Sequence, residues 1–416
     1  MFTLLFVALL LTDIAVRLWL ASRQIRHVMA HRHQVPPEFA DRISLYSHQR
    51  AADYTIAKTR FSMVESVTEA AVLVALTLLG GLQWLDVTLG NVIQNEMLRQ
   101  LALIGAVMAI LGTIGLPFSA WRKFRIEGHF GFNRVSPKLF IIDNLKTLLL
   151  ALLFGTPLAA AVLWIMGNTG PNWVWWAWGT WVGFNFLLLW LFPTVIAPMF
   201  NKFTPLDNPE MAERIRQLAQ RCNFSLNGLF VMDGSKRSAH GNAYFTGFGK
   251  SRRIVFFDTL LSRLSADEIE AVLAHELGHF KHRHILRRMA IMFGVALVFF
   301  LALGWLSNQV WFYTDLGVIP QLGRPNDALA LILFFLVVPV FTFWASPLAA
   351  WMSRRDEFEA DRYAARQSSS EWLVSALVKL YDDNAATLTP DPVHSAYYDS
   401  HPPAVIRIQQ LKHGQG

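Results

Sequence analysis

The sequence predicts a mainly α-helical protein that crosses a membrane several times, and two observations support this prediction. Hydrophobic residues make up 53% of the 416 residues, and the mean hydropathy is +0.33. Charged residues account for 16%, well below the roughly 25% of an ordinary soluble domain. The apolar excess is gathered in stretches that are each near the ~20 residues needed to cross the hydrocarbon core.

About seven spans are predicted by this length criterion. They cover residues 1–20, 64–85, 98–120, 145–166, 173–199, 289–306 and 328–351. A cleaved signal peptide is the alternative for the first stretch, but a basic n-region and an Ala-x-Ala-like site are missing, so a retained span is favoured. The sequence thus predicts a membrane domain over residues 1–200 with about five spans. A second domain follows over residues 201–416, interrupted by the spans at about 289–306 and 328–351.

The distribution of basic residues predicts the orientation. Lys and Arg are frequent in the loops after the first, third and fifth spans and in the C-terminal tail, while the other loops are nearly free of them, apart from Arg324. By the positive-inside rule the N-terminus faces outward, and the polar segment 201–284 and the C-terminus face the cytoplasm. This pattern fits a multi-pass protein of a bacterial inner membrane, or of an ER-type membrane in a eukaryote.

The formal net charge is +7 and the pI is about 9.6. An excess of Lys and Arg over Asp and Glu can indicate a nucleic-acid partner, but the sequence has no aromatic-basic RNA motif or basic helix-turn-helix pattern. The charge is therefore attributed to cytoplasmic loops, and the lipid bilayer is the predicted partner. Cys222 is the sole cysteine, so an intrachain disulfide and a thiolate-rich metal site are both excluded.

The strongest motif is the HExxH sequence of residues 273–279, LAHELGH. Ser265 and Glu268 form a capping-box pattern that predicts the start of a helix. On this helix His275 and His279 are four residues apart and project from one face, as two ligands of one Zn²⁺ must. Glu276 then lies beside the metal, where a carboxylate can act as the general base toward metal-bound water.

A third ligand is expected downstream, in the SRRDEFEAD segment of residues 353–361. Glu357 and Asp361 share a helical face, so one can bind zinc while the other hydrogen-bonds a ligand histidine. A solvated acidic helix start is an equally good interpretation of these residues. His282 and His284 are interpreted as basic residues next to the membrane.

HELGH, followed after two spans by SRRDEFEAD, resembles the integral-membrane zinc peptidases of the type-I CAAX prenyl protease family. The resemblance extends to the HPPxxxR element from His401 to Arg407, and the protein resembles a bacterial-like homologue. Further matching segments are Asn242 to Gly247, the Tyr54/Lys58/Arg60/Phe61/Ser62 segment and Gly128 to Asn133. Together these motifs cover nearly the whole chain.

This resemblance implies a bundle of seven helices that encloses a chamber, with a zincin-like HExxH domain and a small β element. It implies one Zn²⁺ per chain, bound by His275, His279 and Glu357, with Glu276 as the base. Asp361 would hydrogen-bond a ligand, and Glu359 is not an expected ligand.

The same resemblance assigns roles to three residues outside the zinc helix. Asn242 would lie on an edge strand that aligns the substrate backbone, although a turn residue fits that sequence nearly as well. His401 would stabilise the oxyanion, unless it only stiffens the tail. Arg407 would pair with Asp361 or Glu357, and a surface role is equally open.

The predicted function is that of a membrane-embedded zinc metalloendopeptidase that acts near the C-terminus of prenylated CAAX-type or other membrane-associated proteins. Its partners would be a peptide or protein substrate, with or without a prenyl group, and the sequence leaves the oligomeric state open. One alternative is a quality-control protease that does not depend on prenylation. Another is a non-catalytic seven-helix transporter or receptor, in which Asp13 and Arg17 would line a path through the membrane.

Overall fold

Helices form most of the chain in the computed structural model, which describes residues 1–246, 253–321 and 323–413. The helices are α1 (Phe2–His31), α2 (Leu45–Leu76), α3 (Gly81–Val92), α4 (Glu96–Ala120), α5 (Pro137–Leu150), α6 (Thr156–Asn168), α7 (Trp173–Leu191), α8 (Ala197–Phe200), α9 (Pro209–Arg221), α10 (Asp258–Leu261), α11 (Ala266–Lys281), α12 (His284–Leu306), α13 (Val310–Thr314), α14 (Asp327–Thr342), α15 (Ser346–Gln367), α16 (Ser370–Asp383), α17 (Pro392–Tyr398) and α18 (Ala404–His413). The strands are β1 (Phe203–Pro205), β2 (Gly228–Met232), β3 (Ala243–Thr246) and β4 (Arg253–Phe257).

Within the described ranges, six helices are long and apolar enough to cross a membrane, and one bent pair brings the number to seven. The six are Phe2–His31, Glu96–Glu127, Pro137–Asn168, Gly170–Phe200, His284–Leu306 and Asp327–Gln367. The prediction of a mainly helical protein with about seven spans is therefore confirmed. Several helices run past the predicted spans, because a helix can continue into water once polar residues replace the apolar ones.

The second span, predicted over residues 64–85, is built from a pair of helices, α2 and α3, that meet at an angle of 50°. The break lies at two glycines: Gly80 has φ = 77°, and a Cβ on Gly81 would lie 2.6 Å from the carbonyl oxygen of Ala75. Only glycine accommodates both conditions without strain.

The two ends of α1 contact different parts of the chain. At its start, the backbone of Phe2 donates to Asp315 in the loop after α13 (2.8 Å). Near its other end, Arg23 donates to Asp391 of the C-terminal segment (3.0 Å). The N-terminus and the C-terminal tail therefore lie at opposite ends of the helical bundle.

Two large hydrophobic cores divide the molecule. The membrane core includes Phe6 of α1, Leu103 of α4 and Leu333 of α14, so helices from both halves of the sequence contribute to it. The second core includes Phe256 of β4 and Leu273 of α11. It joins the small sheet to the helix that bears the HExxH motif.

The described strands form a single sheet in the order β1-β2-β4-β3. Strands β2 and β4 are parallel, and the outer pairs are antiparallel. Strand β3, which follows Asn242, is therefore at an edge of the sheet. Gly247, which belongs to the same predicted motif, lies outside the described residues.

Among cavities formed by the described residues, three adjoin one another. The inner cavity, of about 540 Å³, lies between α1, α2, α4 and α14. The middle cavity, of about 430 Å³, shares Arg17 and Arg122 with it. The site cavity, of about 410 Å³, shares Lys58 with the middle cavity and is lined by His401. The largest of these three is bordered by helices of the bundle, and the smallest is lined by His401 of the C-terminal segment.

Candidate metal centre

Helix α11 begins with the predicted capping box. The backbone of Glu268 donates to Ser265 Oγ (3.3 Å), and the backbone of Ser265 donates to Glu268 Oε2 (2.7 Å). Ser375 and Lys379 of α16 also donate to the Glu268 carboxylate, at 2.7 and 2.8 Å. One buried acid therefore both starts the helix and ties it to α16, which fixes the orientation of the histidine face.

His275, His279 and Glu357 form a group of side chains with the spacing of metal ligands. The two histidine Nε2 atoms are 3.2 Å apart, and each lies 3.4 Å from an oxygen of Glu357. Three ligands at ~2.0–2.1 Å from a tetrahedral ion would be separated by about 3.3–3.4 Å. Glu357 Oε2 is buried and makes no hydrogen bond within the described chain, as expected of an atom that faces a cation. The donor set therefore fits a metal ion.

Glu357 reaches the histidines because α11 and α15 pack very closely. Gly278, one residue before His279, faces Ala360, and a Cβ at Gly278 would lie 2.9 Å from the Ala360 Cα. Helix α15 continues the last span, because Asp327–Gln367 forms one long helix. This helix is apolar in its first part and polar in its last part. The membrane-spanning helix thus carries its own acid to the centre.

Asp361 lies behind His275. Its Oδ1 is 2.8 Å from His275 Nδ1, a hydrogen-bonding distance, and both of its oxygens accept from Arg407, at 2.8 and 2.6 Å. Arg407 is 5% exposed and Asp361 is 3% exposed. The interpretation of the acidic segment as a solvated helix start is therefore wrong, and so is a surface role for Arg407. Of the two predicted partners of Arg407, Asp361 makes the bidentate pair, and Glu357 is 3.7 Å away.

These contacts control the charge of the centre. Burial disfavours a charged imidazole, but the close carboxylates of Asp361 and Glu357 outweigh it and raise the pKa of His275 to about 9. Burial also disfavours the charged guanidinium, yet the Asp361 and Glu357 carboxylates raise the pKa of Arg407. The buried carboxylates therefore hold positive charge in the centre, which a divalent cation can supply in place of the histidine proton.

The interpretation of His284 as a basic residue next to the membrane is wrong. His284 is 1% exposed, and its Nδ1 lies 2.9 Å from Nδ1 of His279. Its Nε2 lies 3.1 Å from Glu359 Oε2. Arg283, in the left-handed conformation with φ = 55°, turns the chain between α11 and α12 so that His284 comes back to the site. The spacing in the sequence gave no signal of this contact, which depends on that turn.

The remaining predicted site residues are more accessible. Glu276 is half-buried and makes no hydrogen bond or ion pair with any described residue. His401 has a side chain that is 61% exposed, and its Nε2 lies 3.6 Å from Glu357 Oε1. The ring therefore reaches the metal centre from its solvent-accessible side, where it can donate or accept a hydrogen bond.

Asn242 is exposed and lies at the start of edge strand β3. Its carbonyl oxygen accepts from the backbone of Phe257 on β4 (2.9 Å), and its side chain accepts from the backbone of Ala243 (2.8 Å). It therefore continues the sheet ladder instead of forming an isolated turn.

The fold and this centre together define a class: a multi-pass membrane protein with an HExxH metallopeptidase centre. Residues 24–202 match the family described as CAAX prenyl protease N-terminal, five membrane helices, and residues 205–415 match peptidase family M48. The chain belongs to this family. It is therefore a metalloprotease of the membrane, and a receptor or transporter role loses its support.

Relatives and a solved structure are similar over nearly the whole chain. The CAAX prenyl protease 1 homolog of Oryza sativa is 35% identical over 390 residues, covering 91% of this chain and 90% of the relative. CAAX prenyl protease 1 of Saccharomyces cerevisiae is 32% identical over 400 residues, covering 91% and 88%. The crystal structure of S. mikatae Ste24p superimposes with a TM-score of 0.92 at 29% identity and covers 99% of both chains.

Proposed function

We propose that the protein is a zinc metalloendopeptidase that hydrolyses peptide bonds near the C-terminus of prenylated CAAX-type proteins. The observation that carries this proposal is the triangle of His275, His279 and Glu357, with the free carboxylate of Glu276 beside it. The names of the similar proteins from rice and yeast support the substrate class. Zinc is the metal proposed because nitrogen ligands with one carboxylate suit it.

In this proposal, His275, His279 and Glu357 hold the ion. When bound, Zn²⁺ would acidify a water molecule and polarise the scissile carbonyl. Glu276 would accept a proton from the attacking water and pass it to the leaving amine. Asp361 and Arg407 keep His275 in the orientation that binding requires.

Two further residues are proposed to act on the substrate. Strand β3, beginning after Asn242, would pair with the extended substrate backbone, because an edge strand offers unpaired backbone donors and acceptors. His401, whose Nε2 faces Glu357, would donate a hydrogen bond to the carbonyl oxygen as negative charge develops there. The inner cavity is lined by apolar side chains such as Leu10 and Phe118 and by charged ones such as Asp13 and Glu69, so it offers both hydrocarbon and polar surface to a substrate.

We also propose that the catalytic segment and the C-terminus face the cytoplasm. The basic loops lie on that side of the predicted topology, and the N-terminus lies at the opposite end of the bundle from the tail. We place the protein in a bacterial inner membrane, or in an ER-type membrane if its source is a eukaryote.

The test is cleavage of a fluorogenic CAAX-type peptide, with and without a farnesyl group, by wild type and Glu276→Gln. We expect both proteins to bind one zinc ion per chain and only wild type to cleave. The matched control is Glu213→Gln, an exposed acid on α9, which should cleave as wild type does. Cleavage by Glu276→Gln would refute the assignment of the base.

The farnesyl comparison separates two protease functions. Faster cleavage of the farnesylated peptide supports a prenyl-protein protease. Equal cleavage of both peptides would favour the quality-control protease, for which a prenyl group is irrelevant.

A further inference from the structure

We propose that Lys58 binds the C-terminal carboxylate of the peptide substrate. This inference rests on the proposed function, because it concerns a peptide cleaved close to its free C-terminus. It assigns a ligand to a residue of α2 that has no part in the metal centre.

Lys58 stands on the face of α2 that lines the cavities. Thr55, Lys58 and Thr59 line the site cavity, and Lys58 and Thr59 also line the middle cavity. These residues are spaced three and four apart and therefore share one side of the helix. The Lys58 side chain is accessible, although it stands inside the molecule, because the cavity reaches it.

The charges around these cavities single out Lys58. Arg17 is paired with Asp13 (2.7 Å), and Arg122 is paired with Glu65. Lys58, in contrast, has no carboxylate oxygen of a described residue within 4 Å of its ammonium nitrogen. Its ammonium lies 4.2 Å from the centroid of the Tyr54 ring.

The nearest acid of that cluster is already engaged. Tyr54 donates to Glu127 (2.5 Å), whose other oxygen lies 3.7 Å from His240 Nε2. Lys58 is therefore held by a ring contact while its N–H donors remain open toward the cavity. The Lys58 side chain is exposed where it faces the cavities, so water solvates its ammonium in the absence of substrate and a substrate anion can replace that water.

The site cavity links this ammonium to the metal centre. His401 lines the same cavity, and its Nε2 lies 3.6 Å from Glu357 Oε1. A bond within a four-residue CAAX end is at most three residues from the terminal carboxylate, and three extended residues span about 10 Å. The cavity volume of about 410 Å³ is within the range of about 300–1,000 Å³ found for small-ligand pockets.

Among the Lys, Arg, Asp and Glu side chains of the described residues that line the site cavity, Lys58 is the cation and Asp399 is the anion. A peptide carboxylate is attracted by Lys58 and repelled by Asp399. The terminal residue of the substrate is therefore directed to the α2 wall, and the scissile bond to the His401 side.

The experiment compares two farnesylated peptides of one sequence, which end in a carboxylate or in a carboxamide. We expect wild type to cleave the carboxylate peptide with at least a tenfold higher kcat/KM, because a charge-assisted hydrogen bond is lost in the amide. Lys58→Met should reduce this ratio to about threefold or less by acting on the carboxylate peptide alone. Lys58→Arg should keep most of the ratio. Lys138→Met, at an exposed lysine that lines none of these cavities, is the matched control and should keep the wild-type ratio.

The ratio of kcat/KM between the carboxylate and the carboxamide peptide does not change with partial misfolding, because an inactive fraction of the protein lowers both rates equally. Equal cleavage of the two peptides by wild type would overturn the inference and leave the proposed function standing. An unchanged ratio in Lys58→Met would overturn the assignment to Lys58. Cleavage of neither peptide by metal-loaded wild type would refute the proposed function, and the inference with it.

Discussion

At the scale of single residues, each of the two histidines of the HExxH motif has its own support. His275 contacts Asp361, which is held by Arg407. His279 contacts His284, which is held by Glu359. A carboxylate can only accept from His284 Nε2–H, so His284 Nδ1 accepts from His279 Nδ1–H. This network leaves Nε2 of His279 free of a proton and available to a metal ion.

We expect His284→Phe to weaken zinc binding by about 10–100-fold, the usual effect of removing a group that orients a metal ligand. The phenyl ring fills the buried site but cannot fix the proton on Nδ1 of His279. Competition with a zinc chelator measures the affinity directly. His33→Ala, at an exposed histidine after α1, is the control and should bind zinc as wild type does. Unaltered affinity in His284→Phe would mean that the contact only fills space.

At the scale of the elements, the centre depends on the approach of α11 to α15. Gly278 allows this approach, because a side chain at this position would meet the backbone of Ala360 on the other helix. Glu357 and the histidines come from opposite sides of this interface. The geometry of the centre is therefore set by helix packing as much as by the ligands.

We expect Gly278→Ala to reduce zinc affinity and to destabilise the protein by about 1–3 kcal/mol, as overpacking does. The added methyl group would lie 2.9 Å from the Ala360 Cα, so the helices must separate. Zinc competition and thermal unfolding measure the two effects. The control is Gly294→Ala on α12, where the methyl group has no neighbour within 4 Å. A Gly278→Ala variant with wild-type affinity would show that the interface can yield without moving Glu357.

Glu268 gives α11 a pH-dependent stability. Burial alone would raise the pKa of Glu268, but hydrogen bonds from Lys379, Ser265 and Ser375 outweigh it and lower the pKa below 4.5. A lowered folded-state pKa contributes stability above the unfolded pKa and loses it as the pH falls. We expect Glu268→Gln to cost about 1–3 kcal/mol at pH 7, with the difference shrinking below about pH 4.5.

Thermal unfolding of the wild type and Glu268→Gln across this pH range checks the prediction. Glu213→Gln is the matched control, since Glu213 and Arg216 form a pair that is 58% exposed on both sides and contributes little. A gap between wild type and Glu268→Gln that widens on acidification would contradict the sign of the pKa shift.

At the scale of the whole molecule, the end of the bundle opposite the tail is held by a buried ion pair. Arg99 of α4 donates to Asp86 of α3 (2.5 Å) and to the carbonyl of Pro325 before α14 (3.1 Å). Gln321 also donates to Asp86 (2.9 Å). These bonds join the broken second span to the third and the seventh, and they lie far along the chain from the metal centre.

We expect Asp86→Ala to destabilise the protein by about 1–3 kcal/mol, because it removes the buried carboxylate partner of Arg99 and leaves Glu96 as its one carboxylate partner in the described chain. Asp86 is 0% exposed and Arg99 is 2% exposed. Thermal unfolding of the detergent-solubilised protein measures the loss, and its zinc affinity should be unchanged. Glu96→Ala removes the other carboxylate that accepts from Arg99; its side chain is 39% exposed, so this variant is the comparison and should cost less. A similar loss for both variants would contradict the role of burial.

The division into domains at residue 200 remains a prediction. The membrane core contains helices from both sides of that position, such as α4 and α14. The sequence pattern identifies polar and apolar segments in order, but it does not say which of them pack together.

The sequence alone determined the mainly helical class, the approximate number of spans, the capped start of α11 and the shared face of His275 and His279. Each of these is a local property, since span length, capping and four-residue spacing involve neighbours in the chain. The tertiary structure decided the contacts between residues that are distant in the chain. It placed Glu357 against the histidines, paired Arg407 with Asp361, brought His284 back to His279 and left Lys58 without a carboxylate partner in the described chain. Such contacts depend on helix packing and on single turns, and the local pattern carries no information about them.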